Sequence, residues 1–169
     1  MKNPSPRLPI DSCESLFEKL KFDYSQFQND WTSTYFAFNF IITAYHLYQD
    51  WINKSGTKEQ MQRKELLSPD GKKLFEVLRD ITNATKHFSL FEKNQQKQIA
   101  GSISGPIIGD WAAYFFHGPV LYVTVGNSRP NFVQISKATI SCFNWILNGE
   151  KSNLDEELQA LFSPIQPSP

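Results

Sequence analysis

The chain has 169 residues, 40% of them hydrophobic and 14% aromatic, and its 17 Lys and Arg are matched by 17 Asp and Glu. That composition can bury a proper core in one domain and excludes a disordered or low-complexity protein. Zero net charge excludes a protein that coats nucleic acid by charge alone.

Residues 1–169 read as a single domain, with a core over about 11–149 and loose termini at 1–10 and 163–169. The opening stretch, Met1 to Pro9, is polar and Pro-rich and lacks the apolar centre of a secretory signal. The longest apolar run, Phe36 to Ala44, is interrupted by Asn39 and Thr43, whereas a bilayer span needs about 20 apolar residues. The expectation is a cytoplasmic protein with no membrane segment, in which Cys13 and Cys142 are buried free thiols.

Asp11 with Glu14 resembles a capping box, and Leu16, Phe17, Leu20, Tyr24 and Phe27 then recur at helical spacing, predicting a first helix near 11–28. Asn29 or Asp30 can cap a second helix over about 31–54, apolar nearly all round and therefore central to a bundle. The polar stretch 54–67 predicts a connecting half-helix. Ser68-Pro69-Asp70 is a strong start for a third helix over about 69–88, whose core face is Leu74, Phe75, Leu78 and Ile81. From Ile99 onwards glycines and prolines punctuate β-forming runs, Trp111 to Phe116 and Val120 to Val125, predicting two or three antiparallel strands. Gly126 to Pro130 is a turn, a further helix spans about 132–148, and a short acidic helix capped by Ser152 or Asn153 ends at Phe162. The predicted fold class is mainly α, a helical bundle with an inserted β-hairpin or small antiparallel sheet, α+β by strict count.

Two helices carry polar residues in apolar settings. Asn39, Thr43, His46 and Asp50 are spaced 4, 3 and 4 apart along the second helix, which puts them on one line. Arg79, Asn83, Lys86 and His87 share a face of the third. If the two helices pack antiparallel, His46 and Asp50 meet Arg79, Asn83 and His87. Three readings stay open. The first is a buried structural network, since unpartnered buried polar groups cost roughly 1–3 kcal/mol each. The second is a site in which a His moves protons near neutral pH, an Arg holds an anion and an Asn orients it. The third is a metal held by His46, Asp50 and His87, for which the ligand set is thin. No cofactor is expected, because no phosphate-cradling Gly-rich loop and no nucleophile-elbow Ser is present. Residues 54–97 hold ten Lys and Arg against six Asp and Glu, a mild basic bias that most simply marks a solvated face. Trp111 and Tyr114 to Phe116 read as a hydrophobic strand pair before they read as base-stacking residues.

The segments Ala44-Tyr45-His46-Leu47-Tyr48-Gln49-Asp50-Trp51 and Arg79-Asp80-Ile81-Thr82-Asn83-Ala84-Thr85-Lys86-His87 resemble paired helix motifs of a group of uncharacterised bacterial proteins. Those proteins also share a Gly-rich β segment and a closing helix with an aromatic pair, here Phe143 and Trp145. More distantly, Arg79-Asp80 followed by His87 is similar to the motif of the HEPN superfamily, helical bundles that act as metal-independent RNases in toxin and phage-defence systems. Seven residues separate Arg79 from His87, one more than that motif spans, which turns the His by about 100° on a helix. The resemblance implies a homodimer with RNA or a nucleotide as partner. It also implies that Arg79 stabilises phosphate and His87 transfers protons, with His46 and Asp50 in support and Asn83, Lys86 and Asn39 binding substrate. The alternative is a non-catalytic protein-interaction module in which these residues only specify packing.

Overall fold

A serine pair starts the first helix. Ser15 N donates to Ser12 Oγ at 3.1 Å and Ser12 N donates to Ser15 Oγ at 3.0 Å. This reciprocal capping box opens α1 (Cys13–Asn29), one residue beyond the pair built on Asp11. The structure is a computed structural model and describes residues 10–87, 100–104 and 121–163.

The second helix, α2 (Thr34–His46), is capped by Ser33 and starts later than the predicted residue 31. The reason is that Asp30 closes α1 instead. Its backbone N–H returns to Gln26 O at 3.2 Å, and its carboxylate takes the amide and hydroxyl of Thr32 at 3.1 and 2.7 Å. Beyond His46 the helix continues through a π-helical turn, Leu47–Trp51, into a last α-turn, α3 (Ile52–Ser55). The wide turn is fixed by the N–H of Ile52, which donates to Leu47 O five residues back.

A complete helix, α4 (Lys58–Glu65), stands where a half-helix is predicted, opened by a Thr57–Gln60 capping box. Gly71 N donates to Ser68 Oγ at 3.2 Å at the start of α5 (Pro69–His87), the cap that Ser68-Pro69-Asp70 announces. Strand β1 (Ala100–Ser104) pairs antiparallel with β2 (Tyr122–Val125), Ala100 opposite Val125 and Ser104 opposite Tyr122, with a bulge between Ala100 and Ser102. The first strand therefore precedes the predicted Trp111–Phe116 segment, which lies outside the described residues. After a tight turn in which Gly126 takes φ +57°, α6 (Phe132–Phe143) is capped by Asn131. It runs on into a second π-turn, Asn144–Asn148, ended by Gly149 at φ +78°. The last element is α7 (Leu154–Phe162).

The fold is mainly α, with a two-stranded antiparallel sheet between α5 and α6. One hydrophobic cluster joins the elements, with Phe27 edge-on to Phe132 at 4.9 Å and Phe75 against Phe143 at 5.4 Å. Leu154, Leu158 and Leu161 of α7 belong to it, so the core extends past residue 149, where the sequence reading ended it. Cys13 and Cys142 are buried and free. No helix among the described residues is long and apolar enough to cross a membrane.

The charges of α4 do structural work. A π-turn offsets its carbonyls from the regular α ladder, and α4 bonds to both π-turns. Lys64 Nζ donates to Tyr48 O at 2.9 Å and to Asn53 Oδ1 at 2.6 Å, and sits 4.2 Å over the Tyr48 ring. Arg63 donates to Ile146 O at 2.8 Å and Leu147 O at 3.0 Å, while Trp145 Nε1 donates back to Arg63 O at 3.2 Å. Lys64 is only 7% exposed, so this part of the basic bias is not a solvated face.

Candidate functional site

The two polar sets do not form one cluster among the described residues. Asn39, Thr43 and His46 of the first set line one cavity and Arg79 of the second lines another, on two sides of the helix that α2 and its π-turn build. The helix does lie against α5, and in the π-turn that follows, the Tyr48 ring stacks on Phe75 of α5 at 3.7 Å and 4°. Tyr45, Tyr48 and Gln49 face that side, while Asn39, Thr43 and His46 face α1. At 100° per residue these two sets sit roughly a third of the circumference apart, which is why His46 and Arg79 line different cavities.

The first cavity, about 340 Å³, is walled by Tyr45, Tyr48 and Phe75, with Arg79 and Lys72 as its cations and Glu65 and Glu76 as its acids. Arg79 is positioned from its own helix: Nε and Nη2 donate to Asp80 Oδ1 at 3.0 and 2.8 Å. The Asp80 side chain is 4% exposed and that of Arg79 is 33% exposed. The other Asp80 oxygen accepts from Ala100 N at 3.2 Å, tying α5 to β1. A guanidinium braced by a buried carboxylate keeps a defined orientation, which is what planar recognition of an anion needs. Burial pushes the Tyr48 hydroxyl up to about 12, so it stays a neutral wall of this cavity. The Lys64 amine behind it is pushed below its ordinary value, again by burial.

The second cavity, about 390 Å³, lies between α1 and α2. Leu16, Ile42 and Trp51 supply apolar walls, and Lys19, Asn39 and His46 supply polar groups. His46 Nδ1 donates to Asp50 Oδ2 at 2.8 Å, and Lys54 approaches the other oxygen at 3.5 Å. The hydrogen bond from His46 holds the Asp50 carboxyl below its ordinary value. Thr43, the fourth member of the polar line, is structural. Its hydroxyl donates to Asp23 Oδ2 and accepts from Lys19 Nζ, both at 2.7 Å, and Lys19 reaches Asp23 at 2.6 Å.

Asn83 is half-buried one turn beyond Arg79, Asn39 is exposed, and the side chains of Lys86 and His87 lie outside the described residues. Among the described residues no three His, Cys, Asp or Glu side chains converge as a metal would require. Sequence reasoning missed Asp80, Asp23 and Trp51. Asp23 carried a signal: it continues the 4, 3, 4 spacing of Leu16, Leu20 and Phe27 and is buried with them. Asp80 carried a similar one, between Val77, Leu78 and Ile81 on the buried side of α5. Trp51 carried none. Five residues beyond His46, it would stand about 140° away on a regular α-helix, and only the π-turn brings both to one cavity. Compared with protein-family models, with curated proteins and with solved structures, the chain matches none.

Proposed function

We propose that the chain is a HEPN-like cytoplasmic module that takes RNA or a nucleotide by its phosphate at Arg79 and, as a homodimer, cleaves RNA without a metal. The observation that supports this reading is Arg79 itself, braced by buried Asp80 and turned to an open cavity with Lys72 and the Tyr45 ring beside it. In the proposed reaction Arg79 stabilises charge on the scissile phosphate and His87 moves the protons. Eight residues of helix put about 12 Å of axial rise between their backbones, a separation better bridged across two copies than within one chain. The reaction therefore draws Arg79 and His87 from two copies, which is the role of the dimer. His46, which lines the other cavity, and Asp50, which is bonded to His46, have no part in it.

The test is cleavage of single-stranded RNA in the presence of chelator by wild type, Arg79→Ala and His87→Ala. The expected result is cleavage by wild type only, and restored cleavage when the two variants are mixed, because a mixed dimer rebuilds one intact site. Equal cleavage by all three preparations sinks the nuclease.

The alternative is a non-catalytic interaction module. It is favoured by exposed aromatics on the first two helices, Phe22 in the middle of α1 (61% exposed) and Tyr35 in the first turn of α2 (79% exposed), since large exposed apolar surface marks contact sites when it is contiguous. On that reading wild type leaves RNA intact, and Phe22→Ser with Tyr35→Ser abolishes a protein complex that Arg79→Ala preserves.

A further inference from the structure

We infer that the cavity between α1 and α2 is a second, separate binding site, and that it takes a neutral planar heteroaromatic of the nucleobase class. The inference is independent of Arg79 and of the RNase reading.

The cavity is about 390 Å³, inside the range of roughly 300–1,000 Å³ in which small-molecule sites fall. Its walls are mostly apolar, with Leu16 and Ile42 as aliphatic surface and the Trp51 indole as a flat one. A flat apolar wall favours a planar ring, since stacking adds to the burial of area.

The charges favour a neutral ligand. Among the described residues the cavity has two groups able to carry positive charge, Lys19 and His46. Each is matched by an acid, Asp23 at 2.6 Å from Lys19 and Asp50 at 2.8 Å from His46. Among the described residues an anionic ligand would meet no uncompensated cation. A cationic one would meet no carboxylate not already engaged.

The remaining hydrogen-bonding capacity is a mixture of donors and acceptors. Asp50 accepts from Nδ1 of His46, so the neutral ring carries its proton there and Nε2 keeps a lone pair as an acceptor. Lys19 uses two of its three N–H donors on Asp23 and Thr43. Asn39 is exposed at the rim, and its amide offers a donor and an acceptor side by side. Adjacent donors and acceptors on the edge of a flat ring are the pattern of a purine or pyrimidine, and an Asn amide is suited to pairing with such an edge.

A nucleobase can arrive as a free nucleoside or within a strand, so the experiment has both arms. Binding of adenosine, guanosine, cytidine, uridine and a mixed-sequence RNA tetranucleotide is measured by ligand-observed NMR, with indole as a flat ring that lacks the donor–acceptor edge. The expected result is binding of at least one nucleoside or of the tetranucleotide, weakened about tenfold by Asn39→Ala and by His46→Phe, and abolished by Ile42→Trp, which fills the cavity. A nucleoside that binds alone marks a small-molecule site, and binding of the tetranucleotide only marks a base held within a strand. Asn39 is exposed and outside the core, so Asn39→Ala keeps the test valid should either other variant fail to fold. Arg79→Ala leaves nucleoside binding unchanged if the site is this cavity, whatever it does to RNA cleavage. The inference is overturned by no binding in any arm, by indole matching every nucleoside with Asn39→Ala having no effect, or by loss of nucleoside binding in Arg79→Ala.

Discussion

The two cavities beside the α2 helix differ in how their polar residues are held. Arg79 is braced by Asp80, a buried acid whose other oxygen ties α5 to β1. His46 is braced by Asp50, a partly exposed acid on the same helix, with Lys54 beyond it. Unpairing a buried carboxylate strands a charge away from water, whereas an exposed ion pair contributes about 0–1 kcal/mol. Removing Asp80 therefore costs folding as well as the orientation of Arg79. The His46 arrangement can be altered while the fold stays intact, and this difference can be attacked experimentally.

The largest effect is expected from Asp80→Ala, which removes the acceptor of both Arg79 and Ala100 N. Discounted for the partial exposure of Arg79, the loss is about 2–3 kcal/mol in urea unfolding, accompanied by weaker RNA binding. Wild-type stability with weakened RNA binding would separate the brace from the fold and break the contrast. Next comes Lys64→Met. The stem is replaced by a chain of similar volume, but the Tyr48 carbonyl loses its donor, at a cost of about 1–2 kcal/mol. Because Tyr48 lines one cavity and Trp51 the other, the substitution is expected to weaken ligands of both. An effect on one cavity only would show that the π-turn does not couple them.

How much of this was legible in the sequence follows from which forces are local. The α5 start could be read because Ser68, Pro69 and Asp70 act within one turn. The α2 start could not, because Asp30 serves either as a cap for the next helix or as a closing residue for the last, and tertiary packing chooses. Of the polar line Asn39, Thr43, His46 and Asp50, the first three share a cavity and Asp50 bonds to His46. Its partner was assigned to α5 when it is α1, since spacing gives a face but not what lies opposite it. The π-turns were invisible. Their stabilising donors, Arg63 and Lys64, come from a helix 83 and 16 residues away in sequence from the carbonyls they bind, so no local pattern marks them.

The alkaline stability profile tests the ring wall of the Arg79 cavity, with an effect that appears only at high pH. Tyr48 titrates near 10 when unfolded and is pushed up to about 12 in the fold. Between those values the folded state binds more protons than the unfolded one, so stability falls as pH rises through this window. The contribution is present below pH 10 and amounts to about 2–3 kcal/mol lost by pH 12. Tyr48→Phe removes the titration, so its stability relative to wild type should rise across the same window. Parallel profiles would mean that the ring wall of the Arg79 cavity is wetter than the stacking on Phe75 implies.

The smallest expected change in stability sharpens the comparison most. Asp50→Asn leaves a side chain of the same shape but removes the charge that His46 pairs with. Both side chains are about 40% exposed (39% and 40%), so stability at neutral pH should shift by less than about 0.5 kcal/mol. The acid limb should change in slope. Asp50 titrates below its ordinary 3.8 in the fold, so the unfolded state binds more protons there and the stability it contributes is lost as pH falls through the folded value. In Asp50→Asn that part of the acid loss disappears. The Asn amide can also turn its oxygen or its nitrogen toward Nδ1 and no longer fixes the proton on that atom. Nε2 then ceases to be a defined acceptor, and nucleoside binding should fall several-fold in a protein whose Tm is unchanged. The matching change at Arg79 offers no such separation, because its brace is also the bond between helix and strand.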